Sequence, residues 1–453
     1  MSSAGWKQRV AGSLDRRPLF LALYASAASF AVYFCMYAFR KPFTAATYEG
    51  TALHLELFGR TLEPKTIFVI AQIVGYCASK YLGAKVCSEV RREHLGRALL
   101  AAIGLALAAL LLFAVLPPAL KVLAIFLNGL PLGVVWGLVV RYLEGRRLSE
   151  LLLAALSCSF ILSSGEVKRV GAMLMDSGVP EFWMPVATAA LFLVPFAVSV
   201  GLLSLLPRPN PRDEALRSHR ETMDRASRRA FLRRFLPGLA PLLIAYLFLT
   251  AYRDFRDNYQ SDLFLEMGIT DPAAFSRTER PIAFFVLLVL GLIFLIRNNR
   301  AGLVVTYLVM LAGLVLMGGA TWQWSNGRLG GEMWMILNGL GAYLAYVPFG
   351  SVLFERTIAV TRFAGTAVFA IYVADALGYT GSVGIQLYKD LFAGDTERLE
   401  FFRAMTYGMS LAGLPLMAGA MVYFVRQKPV DTGGGAASPP SGRNPPGAGV
   451  NRS

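Results

Sequence analysis

The stretch Tyr33-Phe-Cys-Met-Tyr37-Ala-Phe-Arg40-Lys41-Pro-Phe-Thr44 decides how this chain is interpreted. It ends an apolar run long enough to span a bilayer, and it puts two adjacent cations where such a run meets the far side. A second apolar run also ends in arginines, in Leu249-Thr-Ala-Tyr252-Arg253-Asp-Phe-Arg256, and Arg253 follows Arg40 at an offset of 213 residues. We interpret Arg40 and Arg253 as a pseudo-symmetric pair that faces an anionic substrate between two homologous halves.

The composition places the chain among membrane proteins that cross the bilayer several times. Of its 453 residues, 55% are hydrophobic and only 16% are charged, which is too apolar for a protein with an ordinary water-exposed surface. A net charge of +15 is compatible with nucleic-acid binding. The charges lie in short loops between apolar runs, however, and no aromatic-basic motif accompanies them, so we exclude a nucleic-acid partner.

The apolar runs predict an all-α membrane protein with twelve transmembrane helices in two pseudo-symmetric halves of six. The spans are expected near residues 18–39, 66–84, 98–116, 122–140, 151–174, 185–206, 236–252, 281–296, 301–320, 333–354, 364–388 and 404–425. With both termini in the cytoplasm, the inside segments hold roughly twice as many Lys and Arg residues as the outside ones, as the positive-inside rule requires. We therefore expect a multi-pass protein of the plasma (inner) membrane.

The first span and the segments between the halves complete this plan. An Ala-Ser-Ala at 25–27 resembles a signal-peptide cleavage site, but the apolar run continues beyond it, so we expect an uncleaved span. The expected units are an N-terminal half (1–206), a cytoplasmic interdomain loop (207–235), a C-terminal half (236–426) and a disordered cytoplasmic tail (427–453). Within the loop, the segment 217–234 is a candidate amphipathic helix on the membrane surface.

Short matches between the halves indicate a duplicated six-span unit. The pairs in chain order are Ala38-Phe-Arg40 with Ala251-Tyr-Arg253, Leu127-Asn-Gly-Leu130 with Leu337-Asn-Gly-Leu340, Glu144-Gly-Arg146 with Glu355-Arg356, and Val170-Gly171 with Val383-Gly384. All lie at nearly the same offset. Such repeats are typical of transporters whose substrate site lies near the bilayer midplane at the repeat interface.

Ionisable residues within the spans are the next candidates, because charge inside a membrane is costly and usually functional. Lys80, near the end of span two, either snorkels to the interface or adds positive potential to a site. Lys168 and Arg169 lie in span five, where Glu166 can neutralise Arg169 at a spacing of three. Asp375 in span eleven has three interpretations: an ion pair with Lys168, which we favour, a coupling proton, or a cap at a kink.

Two roles are open for each of Arg40 and Arg253. Arg40 is either a substrate ligand or a cation that anchors the outer end of span one, and Arg253 either binds substrate or pairs with Asp254 or Asp257 at the surface. Arginine suits a phosphate or carboxylate because its planar fork binds two oxygens and stays charged. Nearby hydroxyl and amide groups are candidate hydrogen-bond donors to a ligand, although most such groups join helices: Tyr33, Tyr37, Tyr252, Tyr346, Gln72, Asn128 and Asn338.

These motifs resemble the major facilitator superfamily, and most of all its organophosphate:phosphate antiporter branch. The branch has a first span that ends in Tyr-x-x-Arg-Lys-x-Phe, which here reads Tyr37-Ala-Phe-Arg40-Lys41-Pro-Phe43. Similar matches are Tyr76-Cys-Ala-Ser79-Lys80-Tyr81 in span two, Arg253 in span seven and Gly378-Tyr-Thr-Gly-Ser382 in span eleven. The Gly-x-x-x-Asp-Arg signature after span two is degraded here. Ser159 stands where glycerol-3-phosphate transporters carry a histidine, and Lys168 and Arg169 are additional, so we expect a divergent family.

The resemblance implies a monomeric secondary transporter that moves a small anionic, phosphorylated metabolite by alternating access. In this view Arg40, Arg253, Lys80, Lys168, Tyr33, Tyr37 and Tyr252 bind the substrate, while Glu166, Arg169 and Asp375 balance charge or couple transport. The alternatives are a transporter-like sensor of an anionic ligand and a lipid-handling or structural membrane protein. We expect no enzyme activity, cofactor or metal, because the sequence offers no nucleophile–base pair and no cysteine or histidine cluster with ligand spacing.

Overall fold

The computed structural model describes residues 18–143, 149–207, 225–361, 367–394 and 396–427. The helices, in chain order, are α1 (Pro18–Tyr37), α2 (Pro64–Glu89), α3 (Leu95–Val115), α4 (Pro118–Leu143), α5 (Ser149–Asp176), α6 (Met184–Leu203), α7 (Arg225–Asn258), α8 (Gln260–Glu266), α9 (Ala273–Phe294), α10 (Asn299–Ser325), α11 (Gly331–Pro348), α12 (Phe354–Thr361), α13 (Ala367–Phe392) and α14 (Arg398–Arg426). A small hairpin, β1 (Leu55–Leu57) and β2 (Arg60–Leu62), precedes α2. The expected disordered tail lies outside the described residues from 428 onward, and so does most of the expected interdomain loop.

Each of the twelve expected spans coincides with a helix, but the helices fall into two groups. Eight of the described helical segments are long and apolar enough to cross a membrane: those that contain α1, α3, α4, α6, α7, α10, α11 with α12, and α14. The other four expected spans are α2, α5, α9 and α13, which carry several charged residues each. The structure pairs these four across the middle of the bundle, α5 against α9 and α2 against α13. Charges that lipid would not tolerate are thereby turned toward protein.

Two hydrophobic cores organise the bundle. One is built from buried side chains between Ala25 and Leu206, and the other from buried side chains between Phe235 and Phe424. A third, smaller cluster joins Cys158 and Ile161 of α5 to Ile282 and Val286 of α9, where the two sets of helices meet. The site described below lies on this same boundary.

The end of α1 differs from the expected span of 18–39. The helix ends at Tyr37, and Pro42–Ala45 then forms a short 3-10 turn that is buried. The Gln72 side chain donates to the Arg40 carbonyl at 2.9 Å, and the Asn128 side chain donates to the Phe39 carbonyl at 3.1 Å. These two amides therefore join helices, and they satisfy the backbone groups that the end of α1 leaves without helical partners.

Helix α7 corrects the expectation of a separate surface helix at 217–234. Residues 225–234 are the first turns of the same continuous helix that carries the span, and the earlier residues lie outside the described part of the chain. The helix continues through Pro237 and Pro241, which neighbouring helices make tolerable in membrane spans. Arg253 consequently lies within a continuous helix, unlike Arg40, which lies in the turn after α1.

Close contact between α2 and α4 depends on a glycine and gives a first prediction. A Cβ atom at Gly129 would collide with the Gln72 carbonyl oxygen and the Tyr76 nitrogen of α2. We expect Gly129→Ala to force these helices apart and to lower the free energy of unfolding by about 1–3 kcal/mol, as overpacking does. Thermal denaturation in detergent measures the loss. Gly104→Ala on α3 is the matched control, because a Cβ there meets no atom within 4 Å; an equal loss in both variants would contradict the argument.

Candidate functional site

A cavity of about 160 Å³ lies between the two sets of helices, at the level of the charged residues in their middle. Its walls combine aromatic rings with charged groups. The tyrosines are Tyr33, Tyr37, Tyr76, Tyr246, Tyr346 and Tyr379, and the charged residues are Arg40, Lys80, Arg253 and Asp375. Trp136 and Phe160 complete the aromatic lining. Both pseudo-symmetric arginines thus reach one cavity.

Among the charged groups that line the cavity, Arg40 is the one that has no counter-ion in the described part of the chain. Its guanidinium carbon lies 3.9 Å from the Tyr76 ring centroid and 5.7 Å from that of Tyr37, within range of cation–π attraction. Its Nε is buried and has no hydrogen-bond partner. Among the described residues, no carboxylate pairs with this side chain. Arg40 therefore lies inside the bundle, at the cavity between the two sets of helices.

Arg253 reaches the same cavity but has a carboxylate beside it. It forms an ion pair with Asp254 at 2.5 Å, and the Ser382 hydroxyl donates to the other Asp254 oxygen at 2.7 Å. The guanidinium carbon lies 4.5 Å from the Tyr346 ring centroid. The pair with Asp254 is one of the alternatives open from the sequence, yet it is buried instead of lying at the surface. Its Nε, like that of Arg40, is buried without a partner.

Lys80 and Asp375 join the two sets of helices across the cavity. Their ion pair measures 3.0 Å, and the Tyr246 hydroxyl donates to the second Asp375 oxygen at 2.7 Å. The Lys80 ammonium also lies 4.8 Å from the Tyr379 ring centroid. The favoured ion pair of Asp375 with Lys168 is therefore wrong. The reason is geometric, because α2 packs against α13 whereas α5 packs against α9.

Lys168 lies away from the cavity lining, fully buried at the face of the bundle where α1 ends. It pairs with Asp257 at 2.8 Å and donates to the Gln260 side-chain oxygen at 2.5 Å. Lys41 pairs with the other oxygen of Asp257 at 2.5 Å. One carboxylate at the end of α7 thus pairs with two lysines from the N-terminal half, and Lys168 lies in this ion pair outside the cavity, whereas the sequence suggested a substrate ligand.

Tyr252 also lies elsewhere than expected. Its ring is fully buried and stacks on Phe402 with a centroid distance of 5.0 Å, and its hydroxyl is 3.0 Å from the Thr406 hydroxyl. The residue at the same place in the other repeat, Phe39, is fully buried as well. The position before each arginine is therefore a core position. Tyr33 and Tyr37, in contrast, line the cavity.

Glu166 and Arg169 lie beside α9 outside the cavity. Their side chains approach to 3.9 Å at the expected spacing of three. Glu166 also accepts from Arg280 of α9 at 2.5 Å, a partner that the sequence did not suggest. These residues contribute to the contact between α5 and α9, and neither faces the space between the arginines.

The face where α1 ends is closed by polar contacts between the two sets of helices. In addition to the Asp257 cluster, Lys65 contacts Asp262 and Ser261, and the hydroxyls of Thr66 and Tyr259 lie 2.7 Å apart. Further contacts join Arg398 to Glu63 and the Ser261 hydroxyl to the Thr44 carbonyl. This closed face, as we call it, separates the cavity from one side of the bundle.

Several cavity residues were not recognised as site residues from the sequence, although a signal existed. Tyr76 lies four residues before Lys80, Tyr379 four residues after Asp375, and Tyr246 seven residues before Arg253. Spacings of four and seven place side chains on one helix face. Tracing the helix face of each intramembrane charge would have identified these rings. Within the described parts of the chain, no group of three or more His, Cys, Asp or Glu side chains is placed to hold a metal ion.

The arrangement of helices defines the class of protein. The model matches the solved structure of a D-xylose–proton symporter with a TM-score of 0.59 and 13% identity, covering 90% of this chain and 97% of that one. It matches the nucleoside transporter NupG at 0.58 and 12%, covering 90% and 100%, and an inward-open xylose transporter from E. coli at 0.55 and 14%, covering 92% and 98%. The chain is an all-α, multi-pass membrane protein with the major facilitator fold.

The family is more specific than the fold. Residues 42–427 match the model of a family of unknown function, DUF5690, and the chain belongs to that family. Among curated proteins, none matches the chain by sequence. The matched region includes Lys80, Arg253 and Asp375 and begins directly after Lys41. The organophosphate branch, which the sequence motifs resemble, is not identified by these comparisons.

The shared carboxylate on the closed face gives a second prediction. Asp257→Asn removes the one charge that Lys41 and Lys168 face together, so two buried ammonium groups lose their counter-ion. We expect the free energy of unfolding to fall by about 3–5 kcal/mol, the usual cost of breaking a buried ion pair from one side. Chemical or thermal denaturation of the purified protein checks the value.

The control for this experiment is Asp271→Asn. Asp271 pairs with Arg277 in an exposed position, where ion pairs are worth about 0–1 kcal/mol. A loss at Asp257 no greater than that at Asp271 would show that the closed face does not depend on this carboxylate.

Proposed function

We propose that this protein is a secondary transporter that carries a small anionic solute, of the phosphorylated class, through the cavity between its two halves. The observation that carries the proposal is Arg40, a cation within the bundle that faces a cavity and has no carboxylate partner in the described chain. An intramembrane cation without a counter-ion is expensive. A bound anion that accepts hydrogen bonds from it removes that cost.

The charge balance around the cavity supports an anion. Three pairs are balanced one to one: Arg253 with Asp254, Lys80 with Asp375, and Arg256 with Glu279. Asp257 is shared by Lys41 and Lys168 at the closed face, outside the cavity lining. Among the cations that line the cavity, Arg40 is the one without a carboxylate partner in the described chain. One positive charge in excess at the cavity favours an anion, and phosphate monoesters belong to that class.

The geometry of the lining favours a small ligand. A cavity of about 160 Å³ is below the usual size of sites for drug-sized molecules, which is roughly 300–1,000 Å³. The free Nε–H groups of Arg40 and Arg253 are donors that need an acceptor. Guanidinium forks bind phosphate and carboxylate oxygens in pairs, and the surrounding tyrosines supply further hydroxyl donors. The resemblance to the organophosphate antiporter branch points to the same chemistry.

In the proposed cycle the two halves rock about the site. The substrate neutralises Arg40, and the closed face then opens by separating Asp257 from its lysines. The Lys80–Asp375 pair is neutral by itself, so Arg40 remains the charge that the substrate neutralises. The family fold provides the framework, because solved structures that share it are named as a symporter and as transporters.

Ligand-dependent stability tests the anion site directly. Thermal denaturation is recorded with inorganic phosphate, glycerol phosphate, sugar phosphates, phosphonates and carboxylates. A ligand at about 100 times its dissociation constant stabilises by about 2.7 kcal/mol. We expect such a shift with at least one phosphorylated compound for the wild type, and its loss in Arg40→Gln, which keeps a polar side chain but removes the charge.

Matched variants make this result specific. Arg277→Gln removes an arginine that lies in an exposed ion pair outside the cavity, so the ligand shift should remain. Tyr252→Phe should also keep the shift, because that hydroxyl contacts only Thr406 among the described residues. No shift with any anion, or a full shift in Arg40→Gln, would overturn the proposed site.

Flux through reconstituted vesicles separates transport from sensing. Vesicles loaded with the stabilising compound should exchange it with the labelled compound outside, and Arg40→Gln should reduce the exchange at least tenfold, since about 1.4 kcal/mol already changes a rate by that factor. Binding without exchange in the wild type would instead favour a transporter-like sensor.

A further inference from the structure

The outer wall of the bundle carries an apolar groove that the transport cavity does not include. The groove has a volume of about 540 Å³ and lies next to the closed face. Its walls come from the β1–β2 hairpin, α2, α4 and α13. Representative lining residues are Leu57, Leu62, Ile70, Leu123, Phe126 and Leu387. Every lining side chain is a hydrocarbon or an aromatic ring, so water inside the groove would find no side-chain hydrogen-bond partner.

The groove opens onto the surface that faces the bilayer. Val74 on α2 and Leu123 on α4 line it and are large, exposed hydrophobic side chains. Helix α4 is one of those long and apolar enough to cross a membrane. The groove is thus continuous with the lipid-facing surface of the protein. The solvent at its mouth is hydrocarbon, which determines what can enter it.

A β-hairpin closes one end of the groove. Leu55 pairs with Leu62, and Leu57 with Arg60, across a tight turn at Phe58 and Gly59 with φ angles of 52° and 73°. Phe58 is 87% exposed, although a left-handed backbone disfavours an aromatic side chain. An exposed apolar tip of this kind gains free energy in the interfacial region of a membrane, where apolar side chains leave water. We therefore expect the hairpin to lie in the interfacial region, where the chains of lipids begin.

The groove also crosses the boundary between the two sets of helices. Leu62 of the hairpin and Ile67 of α2 pack with Leu391 of α13 in a small hydrophobic cluster, and Leu387 of α13 lines the groove itself. A molecule in the groove consequently touches residues from both repeats. Its presence supports their mutual packing at the closed face.

We propose that this groove binds one acyl chain of a membrane phospholipid. The lipid is a resident of the outer wall, not the transported solute, and the proposal does not rest on the anion site. Its volume falls within the usual range of ligand pockets, and its apolar lining recognises the hydrocarbon chain. Because no polar group lines the groove, we expect selectivity for the chain and none for the headgroup.

The test fills the groove with a bulky side chain. Ala119 of α4 is an exposed lining residue, so Ala119→Trp occupies the groove without disturbing buried packing. Ala108→Trp on α3 is the matched control, an exposed alanine on another span outside the groove. Ala71→Trp on α2 fills the groove from the opposite wall. Native mass spectrometry of the three variants and the wild type counts lipids that survive detergent washing.

We expect the wild type and Ala108→Trp to retain one lipid more than Ala119→Trp and Ala71→Trp. Adding phosphatidylethanolamine or phosphatidylglycerol to delipidated protein should restore the adduct and raise the melting temperature equally, in the wild type and the control only. An equal lipid count in all four proteins would overturn the proposal. So would a dimer that only the groove variants lose, because the groove would then bind a second copy of the chain.

Discussion

The cost of placing charge inside a membrane is the constraint on which the rest of this structure depends. Helices α2, α5, α9 and α13 carry charged side chains that lipid would exclude, so they must meet one another in the middle of the bundle. Four of the eight more apolar helical segments, those that contain α1, α4, α7 and α11, also contribute side chains to the lining of the cavity. The arrangement of the bundle and the position of the polar site follow from the same requirement. Charged side chains are tolerated between the halves because protein surrounds them there instead of lipid.

Within that interior, the cations differ in how many carboxylate partners they have. Where each cation meets its own carboxylate, as with Arg256 and Glu279, the contact holds helices together. Where one carboxylate serves two lysines, as at Asp257, the contact holds the closed face and leaves a positive excess. Arg40 has no carboxylate partner in the described chain and faces a cavity, whereas the buried Lys121, which also has none, donates to backbone carbonyl oxygens. The cations within the bundle therefore differ in their partners, and only the three-dimensional arrangement shows which partners they have.

The sequence predicted the helices and the fold well, because apolar length and internal repeats report directly on span number and symmetry. It also placed Arg40, Arg253, Lys80 and Asp375, which line one cavity. It failed where the outcome depends on how helices are rotated and paired. The partner of Asp375 could not be read from one chain, since several lysines lie in spans and the contact of α2 with α13 decides among them.

The two cores show the same limit at the level of single side chains. Tyr252 shares its type with the cavity tyrosines, yet it occupies the repeat position of Phe39 and is buried in the same way. The alignment of Tyr252 with the apolar Phe39 already indicated a buried position, whereas the tyrosine hydroxyl alone suggested a substrate ligand. The closed face was harder to foresee, because its contacts join residues about 200 positions apart, such as Lys65 with Ser261.

The unequal charges at Asp257 have an electrical consequence. The two lysines belong to the N-terminal half and the carboxylate to α7, so separating them would leave two ammonium groups on one half and one carboxylate on the other. Moving one elementary charge across the full membrane potential is worth about 2.3 kcal/mol at about 100 mV. In the proposed cycle, any part of that separation that is directed along the membrane normal would therefore be subject to the membrane potential.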